Sequence, residues 1–586
     1  MCGIAGLIGK SGVYDDLVGY LGKLEYRGYD SAGVATVNAD GKIAVVKRVG
    51  EVKNLIGAGD ELNGKIGIAH TRWATHGKPS ERNAHPHLSE NGEWAVVHNG
   101  IIENADEIKS TELKGVKFLS STDTEVIPDL LEKYCVNRSV KEFSYVTAML
   151  KGSYALACVA KGGNKIFAAA KNSPLFVGVT EKGTAVSSDP IIFTRGANAY
   201  ELSGGEIAVI DGDGVKFYSP GGEEIKKEPT KLDISAEDED KGGYAHFMRK
   251  EIAEIPAVLK RISEEYSRGI TEAAFKDVDK TKFDSVKFVG CGTAYNAACY
   301  GRDMVLANLG INATVSVASE LLYSDEVIDD KTVVVAVSQS GETADTVGVM
   351  RKAKEKGALL VAVTNVGYST LARMSDVVLP VFAGREIAVA STKAYVAQLA
   401  VLYTVIKTLA GKKHSLESAA KRARELESRD YSAIIDIIKD KNELFLLGRG
   451  LDYYTAEESA LKIKEIAYVN ANAYMSGELK HGFIALIEKG SAVVVYCTQK
   501  KLEDKCLSAV REVSARGAKV IMITPFGLSE EIEKRVFAKI ELAEIDDELE
   551  PLADIIPWQI ISYEVAVSKG FDPDKPRNLA KSVTVE

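Results

Sequence analysis

Val286-Lys287-Phe288-Val289-Gly290-Cys291-Gly292-Thr293 reads as an apolar strand that breaks into a G-x-G turn and opens a helix. The same pattern returns as Glu443-Leu444-Phe445-Leu446-Leu447-Gly448-Arg449-Gly450. Further apolar runs follow each copy, at 332–337 and 359–364 in the first and at 491–497 and 519–524 in the second, with amphipathic stretches between them. Strands alternating with helices in this way make α/β units around a parallel sheet. The second half of the chain is therefore expected to be an internal duplication of a nucleotide-fold-like unit, about 140–170 residues per copy, a normal domain size. The turn argues against NAD. Gly290-Cys291-Gly292-Thr293-Ala294-Tyr295 lacks a third glycine, and no acidic residue ends a second strand about 20 positions on.

Upstream the style differs. Short β-rich runs at 43–49, 94–97, 154–159, 165–169 and 206–210 are separated by Gly, Asn and Asp, with helical patterns at 14–24 and 124–134. The second of these helices follows Ser120-Ser121-Thr122-Asp123, a polar start signal. Strands and helices segregated like this predict layered sheets with helices outside, an α+β or αββα arrangement. The charged, glycine-rich run Ser235-Ala236-Glu237-Asp238-Glu239-Asp240-Lys241-Gly242-Gly243 marks a boundary. A helix is then expected from the Tyr244-Ala245-His246-Phe247 stretch to about residue 268.

Composition narrows the function. The 586 residues carry a net charge of −10 and a pI near 5.6, which gives no basic face for nucleic acid. No apolar run reaches the ~18 residues of a membrane span, and no charged segment followed by an apolar one opens the chain as a leader would. A cytoplasmic enzyme with no membrane partner is the expectation. Seven cysteines, none in a C-x-x-C pair, read as reduced thiols rather than a disulfide framework. His70, His76, His85 and His87 lack the H-E-x-x-H spacing of a zinc site, so they are expected to orient loops, not to bind metal.

The chain starts Met1-Cys2-Gly3-Ile4-Ala5-Gly6. With Met1 removed, Cys2 would carry a thiol and a free α-amine on one residue. Such an amine titrates near pH ~7.7–8.0 and can take the thiol proton, so that sulfur attacks a carbonyl carbon without a histidine. Three polar clusters lie in Gly-rich turns of the same half: Tyr26-Arg27-Gly28-Tyr29-Asp30-Ser31, then His70-Thr71-Arg72-Trp73-Ala74-Thr75-His76-Gly77, then Val97-His98-Asn99-Gly100-Ile101. Attack on an amide needs donors aimed at the developing oxyanion, and Asn99 with Gly100 can supply two. Arg72 and Asp123 are candidates for the carboxylate and ammonium of an amino-acid substrate.

Those stretches, with Cys2-Gly3-Ile4 and Ser121-Thr122-Asp123-Thr124-Glu125, resemble the glutaminase domain of the class II (N-terminal-nucleophile) amidotransferases. Their order and wording are most similar to the glucosamine-6-phosphate synthase family. The resemblance implies Cys2 as nucleophile, Asn99 and Gly100 as oxyanion hole, and Arg72, Trp73, Thr75, His76 and Asp123 around glutamine. It also implies Trp73 as the gate of an ammonia channel.

In the second half, Val337-Ser338-Gln339-Ser340-Gly341-Glu342-Thr343-Ala344 follows an apolar strand and leads into a helix. Hydroxyls and backbone N–H groups at a helix N-terminus cradle anions without a lysine. Ser391-Thr392-Lys393 opens another helix that could complete the cradle. These stretches resemble the sugar isomerase (SIS) domain, which implies a sugar phosphate held by Ser338, Gln339, Ser340 and Thr343, with Thr293 and Ser391 nearby. Family members often have Ser where this chain has Ala294, which has no hydroxyl to offer a sugar. Lys462 and Glu465 sit one turn apart on a helix, ahead of Gly477-Glu478-Leu479-Lys480-His481-Gly482. Aldose–ketose isomerisation needs a carboxylate to move a proton and a group to open the ring, roles that suit Glu465 and His481, with Lys462 assisting. Phe483 replaces the family's usual proline. The last eleven residues, 576–586, match the family's tail, which implies Lys581 as the imine-forming lysine.

The expected organisation is an αββα glutaminase domain (2–234), a linker (235–250), two α/β SIS domains with parallel sheets (251–420 and 421–570), and a tail over the sugar site (571–586). The resemblance implies glutamine and fructose 6-phosphate as substrates, a homodimer, and chemistry that calls for no metal or redox cofactor. A related enzyme for another ketose phosphate and a non-catalytic phosphosugar sensor are the alternatives. Retention of Cys2, Glu465, His481 and Lys581 together argues against the sensor.

Overall fold

The computed structural model describes residues 2–73, 78–194, 196–229 and 241–583. The chain divides into two compact units, one formed by Met1–Ala236 with Ala580–Glu586 and the other by Glu237–Leu579. Among the described residues no helix is long and apolar enough to cross a membrane.

The first unit is built on two seven-stranded antiparallel sheets among its described residues. In one, Gly3–Gly9 lies between Gly183–Ser187 and Ile66–Arg72, with Ser31–Val37 and Ile43–Val49 beyond. In the other, Gly152–Ala160 lies between Ile166–Lys171 and Trp94–Ile102. Strand alternation sets the layers. Ala155, Ala157 and Val159 share one core with Ile4, Ala35 and Ile68 of the facing sheet. The intervening Tyr154, Leu156 and Cys158 share a second core with Leu130 and Leu131 of helix Val126–Tyr134 and Phe143 of helix Val140–Met149. On the far side, helix Tyr14–Leu24 approaches so closely that a Cβ on Gly67 would meet Leu17 at 2.8 Å, and one on Gly3 would meet Leu24 at 2.8 Å. This is the αββα layering that the segregated strands and helices predict.

One helix starts later than its polar signal suggests. The expected start at 124 moves to Val126 because residues 119–120 wrap a carboxylate instead of capping. Leu119 N, Ser120 N and Ser120 Oγ all donate to Glu125, each at 2.6 Å. The expected helix from the Tyr244 stretch runs Phe247–Tyr266, and its first two N–H groups, of Phe247 and Met248, each donate to Asp574 at 2.8 Å.

The second unit repeats one design. Among its described residues are two five-stranded sheets in which every neighbouring pair is parallel. Their orders correspond strand for strand: Asn312–Val317, Ser285–Gly290, Thr332–Ser338, Leu359–Thr364, Val377–Pro380, and Asn470–Met475, Glu443–Gly448, Ala492–Tyr496, Lys519–Thr524, Val536–Glu541. The duplication read from the G-x-G turns is real. In both copies the first glycine of the turn lets the next helix fold back onto the strand end. A Cβ on Gly290 would meet the Ala294 backbone at 2.8 Å, and one on Gly448 the Asp452 backbone at 2.3 Å. Helices Thr293–Leu309 and Leu451–Ala467 start from these turns.

The second of these helices ends at Tyr468, in a left-handed conformation with φ 55°. Its ring packs on Phe571 with centroids 4.8 Å apart, and the Arg577 guanidinium lies 4.0 Å from its centroid. Arg577 N also donates to the Tyr468 hydroxyl at 2.8 Å. The chain leading to the tail is thus fixed to the end of that helix.

Helix Glu417–Glu427 is pinned by charge. Arg422 pairs with Glu550 and, at 2.8 Å, with Asp554, and all three side chains are at most 2% exposed. Burial, then repulsion by Asp554, pushes Glu550 up, while Arg422 pulls the other way. Arg422→Met leaves the two carboxyl groups without their cation. It is expected to destabilise this unit by about 3–5 kcal/mol, seen by calorimetry as a lower-temperature transition. An unmoved transition would show that the triad contributes nothing net.

Candidate functional site

Cys2 directly precedes the strand Gly3–Gly9, whose end is fixed by hydroxyls of neighbouring segments. Gly3 N donates to Thr71 Oγ1 at 3.1 Å and Ile4 N to Ser188 Oγ at 2.9 Å. Trp73 N donates to Cys2 Sγ at 3.2 Å, and Sγ lies 3.6 Å from Trp73 O. The Cys2 carbonyl accepts from Arg27 Nε at 3.2 Å and from Asn99 Nδ2 at 2.9 Å. Arg27 is held in turn by Asp189 at 3.3 Å. Pairing within one sheet brings together the beginning of the chain and the end of Ile66–Arg72, and the facing sheet adds the far part of Trp94–Ile102.

The other described residues singled out in this half lie nearby. Gly100 has φ +130°, and a Cβ there would lie 2.1 Å from the Ser153 carbonyl oxygen, so the position requires glycine. Asp123 Oδ2 accepts from Ile102 N at 2.7 Å. Arg72 is 4% exposed. Burial pulls its guanidinium below the usual value, while Cys2, Asp30 and Asp123 pull the other way, so the group sits in the field of all three. The Trp73 ring stands edge-on to Tyr29, with centroids 5.5 Å apart. Thr75 and His76 lie outside the described residues.

Behind the thiol is a cluster of buried histidines. His70 stacks on His85 at 4.2 Å, and His85 meets His87 edge-on at 4.7 Å. His98 N donates to His85 Nδ1 at 3.2 Å, and His98 Nδ1 pairs with Thr124 Oγ1 at 2.8 Å. Burial above all lowers these histidines: His70 to about 3, and His85 and His87 well below the usual value.

The second unit has its own group. Lys462 is fully buried on Leu451–Ala467 and pairs with Glu458 at 3.3 Å and Glu465 at 2.7 Å. Its ammonium donates to Thr293 Oγ1 at 3.1 Å, and Thr293 Oγ1 donates to Glu458 at 3.0 Å. Asn296 Nδ2 completes the set at 2.9 Å from Glu458. Burial works against the charge on Lys462, but the two carboxylates outweigh it and its pKa is raised. Burial pushes Glu458 up, against the pull of Lys462.

The stretch expected to cradle an anion lies at the end of Thr332–Ser338. Ser338 Oγ lies 3.1 Å from Thr343 Oγ1 and accepts from Gly341 N at 3.0 Å, while Ser340 Oγ accepts from Glu342 N at 3.2 Å. Thr343 is the N-cap of helix Ala344–Glu355, and the Gln339 carbonyl accepts from Asn365 N at 3.2 Å. Ser391 Oγ donates to Glu386 at 2.9 Å, and the same carboxylate accepts from Thr392 N and Ala394 N. The corresponding strand end of the second copy is filled from within, with Thr498 donating twice to Asp452 and Gln499 Nε2 donating to the Arg449 carbonyl at 3.0 Å.

Relatives agree with this two-part construction. The family model described as glutamine amidotransferase domain matches residues 70–195, and the SIS domain model matches 281–408 and 437–569. The glutamine–fructose-6-phosphate aminotransferase (isomerizing) of Clostridium acetobutylicum is 44% identical over 100% of both chains. The chain belongs to this aminotransferase family. The enzyme of the same name from Clostridium perfringens is also 44% identical over 100% of both chains. The solved C-terminal domain of the Francisella tularensis glucosamine–fructose-6-phosphate aminotransferase is 34% identical, covers 57% of this chain and 100% of its own, and aligns with a TM-score of 0.50.

Seen as a family member, the chain shows which expected residues meet. Cys2, Arg72, Trp73, Asn99, Gly100 and Asp123 line one neighbourhood, and in the other Lys462 joins Thr293 by a hydrogen bond and Glu465 by an ion pair. His481 is exposed at the end of the short turn Leu479–His481 and its ring takes no part in that group. Phe483 stacks on Tyr474 at 3.8 Å, an aromatic contact that a proline could not make. Lys581 lies in the terminal stretch that groups with the first unit. Sequence reasoning missed Glu458, Asn296 and Arg27. Glu458 precedes Lys462 by four residues, the i,i+4 spacing of one helix face, and that spacing was the available signal.

The histidine cluster has a consequence for stability. Histidines depressed by folding bind fewer protons folded than unfolded. Their contribution is fully present above the unfolded value of ~6.5 and is lost as pH falls towards the folded one, about 3 for His70. Urea titrations of the first unit's transition are expected to show stability falling from pH 7 to pH 5, by up to about 1.4 kcal/mol per pH unit for each such histidine. Stability that does not change over that range would mean the cluster takes up protons while folded.

Proposed function

We infer that this chain makes glucosamine 6-phosphate, by transferring the amide nitrogen of glutamine to fructose 6-phosphate and isomerising the product. The observation that carries this is 44% identity over the full length of both chains to an enzyme named for that reaction. The chemistry of the two residue groups supports it.

In the first unit, the Cys2 thiolate attacks the glutamine side-chain carbonyl after its proton passes to the α-amine freed by loss of Met1. Charge on the tetrahedral oxygen is met by Asn99 Nδ2 and Gly100 N. Collapse breaks the C–N bond, the α-amine returns the proton to the leaving ammonia, and water then hydrolyses the thioester to glutamate. Arg72 and Asp123 hold the substrate's carboxylate and ammonium, with Trp73, Thr75 and His76 beside it and Trp73 acting as gate. The neighbourhood of Arg72, Asp123 and Cys2 described above supports these roles.

The sugar chemistry uses the second group. Ser338, Gln339, Ser340 and Thr343 hold the phosphate, with Thr293 and Ser391 near the sugar. His481 opens the ring. Lys581 condenses with the C2 carbonyl and releases water, and ammonia displaces it to leave the C2 ketimine. Glu465 moves a proton from C1 to C2, which converts the ketimine to the amino aldose. Lys462, kept as an ammonium by its two carboxylates, stabilises the negative charge that develops during this transfer. The assignment divides the chain at 2–234, 235–250, 251–420, 421–570 and 571–586, and the inferred working form is a cytoplasmic homodimer.

Two measurements test the reading. With glutamine and fructose 6-phosphate together, glutamate and glucosamine 6-phosphate are expected in equal amounts. Cys2→Ala should abolish both and leave fructose 6-phosphate binding intact by calorimetric titration; lost sugar binding would refute the division of labour. Borohydride should trap fructose 6-phosphate on the wild-type chain and fail on Lys581→Ala. Undiminished trapping on the variant would move the imine to another lysine.

A further inference from the structure

Asn99 is assigned above as an oxyanion donor, but an amide side chain can sit either way round, and only one orientation presents its NH2 to the reacting centre. His70 decides which. Its Nε2 lies 3.1 Å from the His98 carbonyl oxygen and 3.0 Å from the Asn99 side-chain atom facing it. A backbone carbonyl can only accept, so Nε2 must carry the ring hydrogen. The Asn99 atom that shares that hydrogen must then be the carbonyl Oδ1. The amide nitrogen is left on the side of Cys2, where it donates to the Cys2 carbonyl at 2.9 Å.

The rest of the ring's surroundings agree. His70 Nδ1 has no hydrogen-bond partner among the described residues, so a proton placed there would be buried and unsatisfied, whereas a proton on Nε2 has two acceptors. The side chain is fully buried on the strand Ile66–Arg72 and stacked on His85 with an interplanar angle of 12°. That packing leaves the imidazole little freedom to turn. Burial also keeps the ring neutral, with its pKa lowered to about 3, so Nδ1 stays unprotonated at any pH near neutrality.

We propose that His70 is a positioning residue for glutamine hydrolysis: its Nε2–H fixes the Asn99 amide with nitrogen towards Cys2 and strengthens it as a donor. The strengthening comes from polarisation. A hydrogen bond accepted at Oδ1 draws electron density from the amide nitrogen, and its N–H groups become better donors, as in any hydrogen-bond chain. One amide hydrogen goes to the Cys2 carbonyl and the second remains for the oxyanion. His70 itself touches no substrate. The inference rests on the reading of Asn99 as oxyanion donor.

The test measures glutamine hydrolysis by the full chain with wild type, His70→Leu, His70→Gln, Asn99→Ala and the double variant His70→Leu/Asn99→Ala. Loss of one oxyanion donor costs about 10²–10³ in kcat, so Asn99→Ala should fall in that range. His70→Leu should lower kcat by a part of that factor, about 10- to 50-fold, with KM for glutamine nearly unchanged. His70→Gln, whose side-chain amide can bring an N–H to the Nε2 position, should recover most of the rate. The double variant should be no worse than Asn99→Ala, because both substitutions remove the same interaction. Glutamate γ-semialdehyde, whose adduct with a thiol carries an oxyanion, should lose affinity for His70→Leu in proportion to kcat, while glutamate binding holds.

An unchanged kcat in His70→Leu, beside an impaired Asn99→Ala, overturns the role of His70. So do losses that multiply in the double variant, or a loss that His70→Gln does not relieve. An Asn99→Ala variant of full activity would instead overturn the oxyanion reading. Should His70→Leu fail to fold, His70→Asn, polar but too short to reach, replaces it under the same criteria.

Discussion

The ammonium of Lys462 has no exposure to solvent at all, and the second unit is arranged around that fact. Taking such an ion out of water costs several kcal/mol, and only close, well-oriented opposite charge with satisfied hydrogen bonds offsets the cost. Here the offset comes from both copies of the duplicated fold. Glu458 and Glu465 lie on the same helix as the lysine, while Thr293 and Asn296 come from the matching helix of the first copy. One copy supplies the carboxylates and the other the neutral hydrogen-bonding groups around them. The two G-x-G turns, with no room for a Cβ at Gly290 or Gly448, start both helices close against their strands and so fix where these side chains arise.

The first unit solves a different problem, which is to fix the position of the residue that directly precedes its first strand, Cys2. Its tools are one backbone N–H, one side-chain amide and one guanidinium, each carried by a different segment. Trp73 N meets the sulfur, while Asn99 and Arg27 meet the carbonyl of the same residue. Small side chains between the sheets, Ala155, Ala157, Ala168 and Ala170 among them, let the layers close tightly, and the buried histidines stack behind the strand that carries Arg72. Rigid elements hold a reacting group more precisely than loops can.

Much of this was legible in the sequence because the signals were local. The repeated strand and turn at 286–293 and 443–450 announced two parallel sheets, and helix Tyr14–Leu24 lies where its periodicity put it. The motifs around Cys2, Arg72 and Asn99 were complete enough to name the chemistry. What escaped depended on long-range pairing. Glu458 reads as one more surface acid until Thr293 and Asn296, more than 160 positions earlier, close over it. His70 reads as a loop histidine until the strands at 66–72 and 94–102 bring its ring against Asn99. The start at 124 was misjudged because Ser120 has hydroxyl chemistry suited to a cap but bonds Glu125 instead.

The clamp of Arg577 on Tyr468 has a mechanical consequence. Fraying from the C-terminus must break the contact of the Arg577 guanidinium with the Tyr468 ring, and the bond from Arg577 N to the Tyr468 hydroxyl, before it can reach Phe571. The clamp therefore sets where such fraying stops. The end of helix Leu451–Ala467 keeps its packing partners when the last residues lose theirs.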